Sequence, residues 1–189
     1  MPSRQTITLG GTLLVGLLLF CGCLTSPETA PPAAPEPEPE PTFVQVSADS
    51  LDSAGHLVPA EPSVVSAKID GSVGGELHNG RFSLQVPKGA WEGTLTVTMT
   101  VPNPTVMRCD LTIDKPDQNH FKQPVVLCGM CNNVVSANSA DGMVFVCLND
   151  MTGKWSPVAG STTNANTGLV SASLQHFSQY GVAQGKAGW

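Results

Sequence analysis

Along residues 82–86 and 94–101 apolar and polar side chains alternate without a break. Phe82, Leu84 and Val86 fall on one side, Ser83 and Gln85 on the other. Leu95, Val97, Met99 and Val101 likewise alternate with Thr94, Thr96, Thr98 and Thr100. A period of two belongs to a pleated strand with one face in a core and one in water, so both runs predict β-strands. Asn79-Gly80 offers the positive φ of a tight hairpin ahead of Phe82. Pro87 with Gly89 suits a type I turn on the way to the following strand.

Further strands are predicted at Val64–Ile69, Val106–Ile113, Pro124–Cys131, Met143–Leu148, Trp155–Val158 and Leu169–Val182. In the second of these Met107, Cys109, Leu111 and Ile113 share a face. Gly, Asn, Asp and Pro separate the runs, no ten-residue stretch carries helical spacing, and there is no internal repeat. Short strands so punctuated predict an all-β domain over residues 62–189, a single antiparallel β-sandwich, with a barrel as the other closed form. A domain of that length buries about 65–70% of its unfolded surface, so folding needs neither metal nor disulfide.

The chain ahead of this domain follows a different pattern. Behind Arg4, residues Ile7 to Phe20 form an apolar run. It is too short to span a bilayer but has the size of a signal-peptide core. It ends in Phe20-Cys21-Gly22-Cys23, which resembles the bacterial lipobox, where a small residue precedes the cysteine that is lipidated and becomes the first mature residue. The resemblance implies a lipoprotein signal peptide over 1–22 and acylation, palmitate included, at Cys23. Phe20 and Cys21 depart from the usual Leu and small residue; ordinary secretion with cleavage nearby is the plainer reading. Leu24 rather than Asp implies sorting to an outer membrane in a cell that has one. Thr25 to Thr42 is rich in Pro and Glu. Such a segment cannot build a core and at ~3.1 Å per residue reaches about 55 Å, so residues 23–61 are expected to form a lipid-anchored, largely disordered linker. Within it Phe43 to Glu61 is ambiguous: Val44 and Val46 suit an edge strand, while Pro59 and Pro62 suit a loop.

Charge sharpens this division. The formal net charge of −6 lies wholly ahead of Pro62, where seven carboxylates oppose Arg4. From Pro62 on, eight basic residues balance eight acidic ones, so the domain has no footprint for nucleic acid. Aromatic residues make up only 5% of the chain, which leaves the core to aliphatic side chains.

Four cysteines belong to the domain, Cys109, Cys128, Cys131 and Cys147. Their spacing contains one CxxC where a four-thiolate zinc site commonly has two. Export to an oxidising compartment favours disulfides, with three connectivities open. If Asp117–His120 turns between the strands of Cys109 and Cys128, and Asn138–Asp141 between those of Cys131 and Cys147, the pairs are Cys109–Cys128 and Cys131–Cys147. The alternative is four buried free thiols packing as small hydrophobes.

Five segments together resemble the ZU-five domain of zonula occludens proteins, netrin receptors and ankyrins, found also on bacterial envelope lipoproteins. They are GGEL at Gly74, FSLQVPKGA from Phe82, FKQPVVL from Phe121, Trp155 in GKWSPV and QHFSQY from Gln175 to Tyr180. The resemblance covers residues 64–182 and implies a β-sandwich with a structural or protein-binding role and no catalysis. It also singles out His176-Phe177-Ser178. In tandem family members this triplet marks autoproteolysis, with the serine hydroxyl attacking the preceding carbonyl, here at Phe177–Ser178. The partner sandwich is absent from this sequence, and the plainer reading is a buried, hydrogen-bonded His176 with Phe177 and Tyr180 as packing.

Other candidates are weaker. Asp110 and Asp114 stand about 13 Å apart along a strand, too far for a retaining carboxylate pair. Asp114, Asp117 and Asn119 lack the glycine and terminal glutamate of a calcium loop. His56, His78 and His120 sit in polar surroundings. Trp91 and Trp155 are the surface candidates for a sugar platform, and no GxSxG, HExxH or phosphate-binding loop is present. The expected function is therefore non-catalytic and without a cofactor: a membrane-anchored envelope lipoprotein whose domain binds an unknown envelope or extracellular protein. Autoproteolysis and a carbohydrate- or metal-binding module are the alternatives.

Overall fold

The alternation at Phe82 and Leu95 is realised as two consecutive strands, and their apolar sides meet in one core. The computed structural model describes residues 41–47, 61–132 and 142–185. The signal peptide, Cys23, the Pro/Glu-rich stretch as far as residue 40, His56 and the Asn138–Asp141 turn lie outside the described residues. Among the described residues eleven strands form: β1 Ser63–Asp70, β2 Gly75–Asn79, β3 Phe82–Val86, β4 Thr94–Val101, β5 Arg108–Ile113, β6 Val125–Met130, β7 Met143–Asn149, β8 Lys154–Pro157, β9 Thr162–Asn164, β10 Leu169–Leu174 and β11 Gln179–Gln184. A single 3-10 turn covers Pro116–Gln118, and the described residues contain no α-helix.

All pairings within the sheets are antiparallel. A six-stranded sheet runs β1-β4-β5-β11-β7-β8, and a five-stranded sheet runs β2-β3-β6-β10-β9. The architecture is a β-sandwich. Leu84, Leu95, Val97, Met99, Val125, Leu127, Phe145, Val170 and Val182 are completely shielded between the sheets. The threonines of β4 keep partial exposure on the outer face. The hairpin between β2 and β3 turns through Gly80, whose φ of 58° supplies the left-handed conformation.

Three features depart from the sequence reading. The predicted Leu169–Val182 strand is two strands in opposite sheets, joined by the Gln175–Ser178 crossover. β9 was not expected. Third, the chain belongs to the domain well before Pro62. Where the pairing of β5 with β11 ends at Arg108 and Gly181, Phe43 bridges Ala183 and Gln45 bridges Val106. Val44 N–H donates to Val182 O at 2.8 Å, Met107 N–H to Val44 O at 3.0 Å, and Val46 N–H to Thr105 O at 2.9 Å. Val44 and Val46 enter the core at 1% and 2% exposure, so a short extended segment from within the expected 23–61 linker is inserted beside β11.

Arg81 secures this insertion. It is buried, and its Nη2 donates to Ser47 O while Nη1 donates to Met130 O, Asn132 O and Asn132 Oδ1. One guanidinium thus joins the β2–β3 turn, the end of β6 and the inserted segment. Its rigid fork of donors suits several carbonyls at once.

Candidate functional site

The chemistry-bearing part of the domain is the crossover between β10 and β11, which carries the His-Phe-Ser triplet. Every residue of it is held through its backbone. Phe121 N–H donates to Gln175 O at 2.8 Å, Tyr180 Oη–H to His176 O at 2.7 Å, and Leu111 N–H to Ser178 O at 3.0 Å. Asn119, just past the 3-10 turn, brackets Phe177: its Nδ2 donates to Phe177 O at 2.8 Å and its Oδ1 accepts from Phe177 N–H at 2.7 Å. The carboxamide takes the place that a neighbouring strand's backbone would occupy. Phe177 then packs edge-on against Phe121, ring centroids 4.6 Å apart, and both rings meet Trp91.

Ser178 is 8% exposed, and its hydroxyl donates to Leu148 O at 2.8 Å, with Asp150 Oδ1 at 3.4 Å. A carbonyl cannot remove the hydroxyl proton, so this hydrogen bond holds Ser178 in place without activating it. His176, expected to be buried, is exposed; it is the carbonyl of this residue that is used inside. The reason is parity at a corner. Phe177 and Ser178 both turn inward as the chain crosses between sheets, and His176 is left on the outside. Tyr180, 1% exposed, returns its hydroxyl to the corner and braces it.

This bracket has a measurable weight. Asn119→Ala strips partners from Phe177 N–H and C=O together and is expected to cost about 1–3 kcal/mol, read as a lower denaturation midpoint. Asn119→Asp should recover only the N–H half, because a carboxylate cannot donate to Phe177 O. An unchanged midpoint for Asn119→Ala would show that water replaces the bracket.

The cysteines do not stand as the hairpin argument placed them. β5 and β6 lie in different sheets, as do β6 and β7, so neither predicted pair faces across a hairpin. All four are free thiols in the structure. Cys109 and Cys147 instead flank Tyr180 in one cross-strand row, since Tyr180 pairs with both. Cys128 sits on the outer side of the five-stranded sheet between Ser83 and Ser171. Burial raises all four thiols above the ordinary range, Cys131 to about 12 even with Arg81 beside it. In this desolvated setting the neutral thiol is favoured over the thiolate, the form that acts as a nucleophile. Among the described residues no three His, Cys, Asp or Glu side chains are placed to share a metal.

The remaining candidates also separate. Asp114 Oδ1 accepts from Thr96 N–H at 3.0 Å, which holds its carboxyl below the usual carboxylate range, and Asn119 is committed to Phe177. Trp91 is 4% exposed, not a surface platform. Trp155 is half-buried on the outer face of the six-stranded sheet, with Phe43 edge-on at 4.9 Å and Arg108 5.4 Å from its ring centroid. Arg108 also donates to Gln179 Oε1. The aromatic contact with Phe43 leaves no mark in the local period, because its two residues stand 112 positions apart. A shallow groove of about 430 Å³ over Gly75, Glu76, Gln85, Pro87, Pro124 and Val126 has one charged lining residue, Glu76. Compared with known proteins, the chain matches no family model and no curated relative.

Proposed function

We propose that the chain is a lipid-anchored envelope protein, held at Cys23, whose ZU-five-like sandwich has a structural or protein-binding role rather than a catalytic one. The observation that carries this reading is the commitment of the His-Phe-Ser crossover to structure. Ser178 Oγ–H is spent on Leu148 O, Phe177 is bracketed by Asn119, and His176 faces solvent. The location rests on the apolar run before Cys23 and on the Pro/Glu-rich stretch after it, which suits a spacer from a membrane. More than one acyl chain makes such anchoring stable.

Two observations favour autoprocessing at Phe177–Ser178 as the second reading. Asn119 Nδ2 already donates to the carbonyl that would be attacked, and the Asp150 carboxylate is the nearest base to Ser178 Oγ. A surface site for carbohydrate would have to be built around Trp155, whose ring already carries Arg108.

One measurement separates these readings, the intact mass of the protein extracted from its own membrane. The expected result is a chain beginning at Cys23, heavier by its acyl groups and ending at Trp189, and Cys23→Ala is expected to move the protein to the soluble fraction. A mature form that stops at Phe177 would establish processing. An unacylated amino terminus elsewhere would remove the anchor.

A further inference from the structure

The sandwich leaves a slot between β11 and residues 105–107, and the chain's own segment 42–47 fills it. We propose that this slot also accepts the same segment of a second copy, so that two chains exchange inserted strands and form a reciprocal dimer. This names a partner for the protein-binding role and takes only its local concentration from the anchor reading.

The contacts of the segment contain nothing that distinguishes its own domain from a neighbour's. Its backbone bonds run to Val182, Gln184, Thr105 and Met107, and Ser47 O is held by Arg81, all distant in sequence. Exchange between copies therefore conserves each contact, which is what makes swapping a low-cost route to a dimer.

The slot is selective for this sequence. A Cβ on Gly181 would lie 2.6 Å from Phe43 Cδ1, so the glycine is the seat of the Phe43 ring. Trp155 closes that seat from the side, and Val44 and Val46 fill the core below. An occupant needs an aromatic residue followed by apolar residues one and three positions later, which is the pattern Phe-Val-Gln-Val of residues 43–46.

Chain length permits the crossing. The fourteen residue steps from Ser47 to Glu61 extend at most roughly 50 Å, so covalent connection to β1 does not confine the strand to its own slot. On the other side Thr25 to Thr42 reaches about 55 Å. Copies tethered to one membrane would meet at a raised effective concentration.

The test uses a chain beginning at Leu24, with no acylated cysteine. Gln45 and Val106 are bridged across the slot and neither side chain is buried, so Gln45→Cys with Val106→Cys reports who fills whose slot. Incubation up to about 1 mM, the range of tethered effective concentrations, is followed by oxidation. The expected result is a covalent dimer on a denaturing gel whose share rises with concentration and which neither single variant forms. Internally bridged monomer at every concentration would overturn the proposal. If the double variant does not fold, native mass spectrometry of ordinary chain mixed with isotope-labelled chain decides. A dimer that Phe43→Ala abolishes supports exchange; monomer alone at the highest concentration, or a dimer that Phe43→Ala leaves unchanged, refutes it. Because this chain lacks the anchor, loss of exchange leaves the membrane reading standing, and loss of acylation leaves exchange standing.

Discussion

Trp91→Ala is expected to cost about 3–5 kcal/mol, as deletion of a fully buried indole does. Trp91 closes one end of the sandwich: it is 4% exposed, its Nε1 donates to Ile69 O at 3.3 Å, and its ring packs with Phe121 and Phe177. It also abuts Gly71, where a Cβ would stand 2.6 Å from Trp91 Cδ1, so the neighbour on that side has no side chain to lean into the hole. A melting temperature lower by ~10 °C or more is expected for a folded unit of this size. Trp91→Phe should recover most of the packing while losing the bond to Ile69 O, leaving a deficit of about 1–2 kcal/mol. The crossover hangs on this end, because Phe177 reaches the cluster through the bracket of Asn119. If Trp91→Ala melts within a degree or two of the parent, the aromatic trio does not close the sandwich.

A chain that starts at Pro62, the boundary suggested by composition, is expected to be destabilised by about 5 kcal/mol relative to one that starts at Glu38. Removing the inserted strand takes Val44 and Val46 from the core, and a buried valine contributes about 1.5–3 kcal/mol. It also uncovers the outer-face pocket of Phe43 and leaves Arg81 without Ser47 O. Against a total stability of about 5–15 kcal/mol, such a loss moves the shorter chain to the edge of unfolding. Near-ultraviolet circular dichroism and thermal melting of the two chains measure it directly. Equal melting temperatures would mean that residues 41–47 rest on a finished sandwich rather than completing it.

This boundary shows where composition misleads. A Pro- and Glu-rich stretch names a linker by its average, yet Val44 and Val46 in Phe43-Val44-Gln45-Val46 already suit a strand, and only its partners decide between that and a loop. The same limit explains the cysteines. Successive strands usually pair, and that prior put β5 beside β6, whereas the chain steps from one sheet to the other between them. His176 fell to a related cause, since the period of two ends where β10 leaves its sheet, and Phe177 and Ser178 both face inward there. In the site, Ser178 and Phe177 were legible as a triplet. Asn119 was read only as a weak calcium candidate, because a bond between residues 58 positions apart leaves no trace in local pattern.

What the sequence by itself determined is where most of the strands lie and which side of the alternating ones is apolar, as in Phe82-Leu84-Val86 and Leu95-Val97-Met99-Val101; β9 and the break between β10 and β11 were not among them. That information is local, because alternate side chains of an extended backbone point to opposite faces whatever lies beside them. Only the tertiary structure decided which strands share a sheet, that residues 43–46 enter it, that Trp91 is inside and that the hydroxyl of Ser178 is bound to Leu148. Those outcomes depend on hydrogen-bond partners and packing surfaces brought together from distant parts of the chain, and no short-range pattern encodes them.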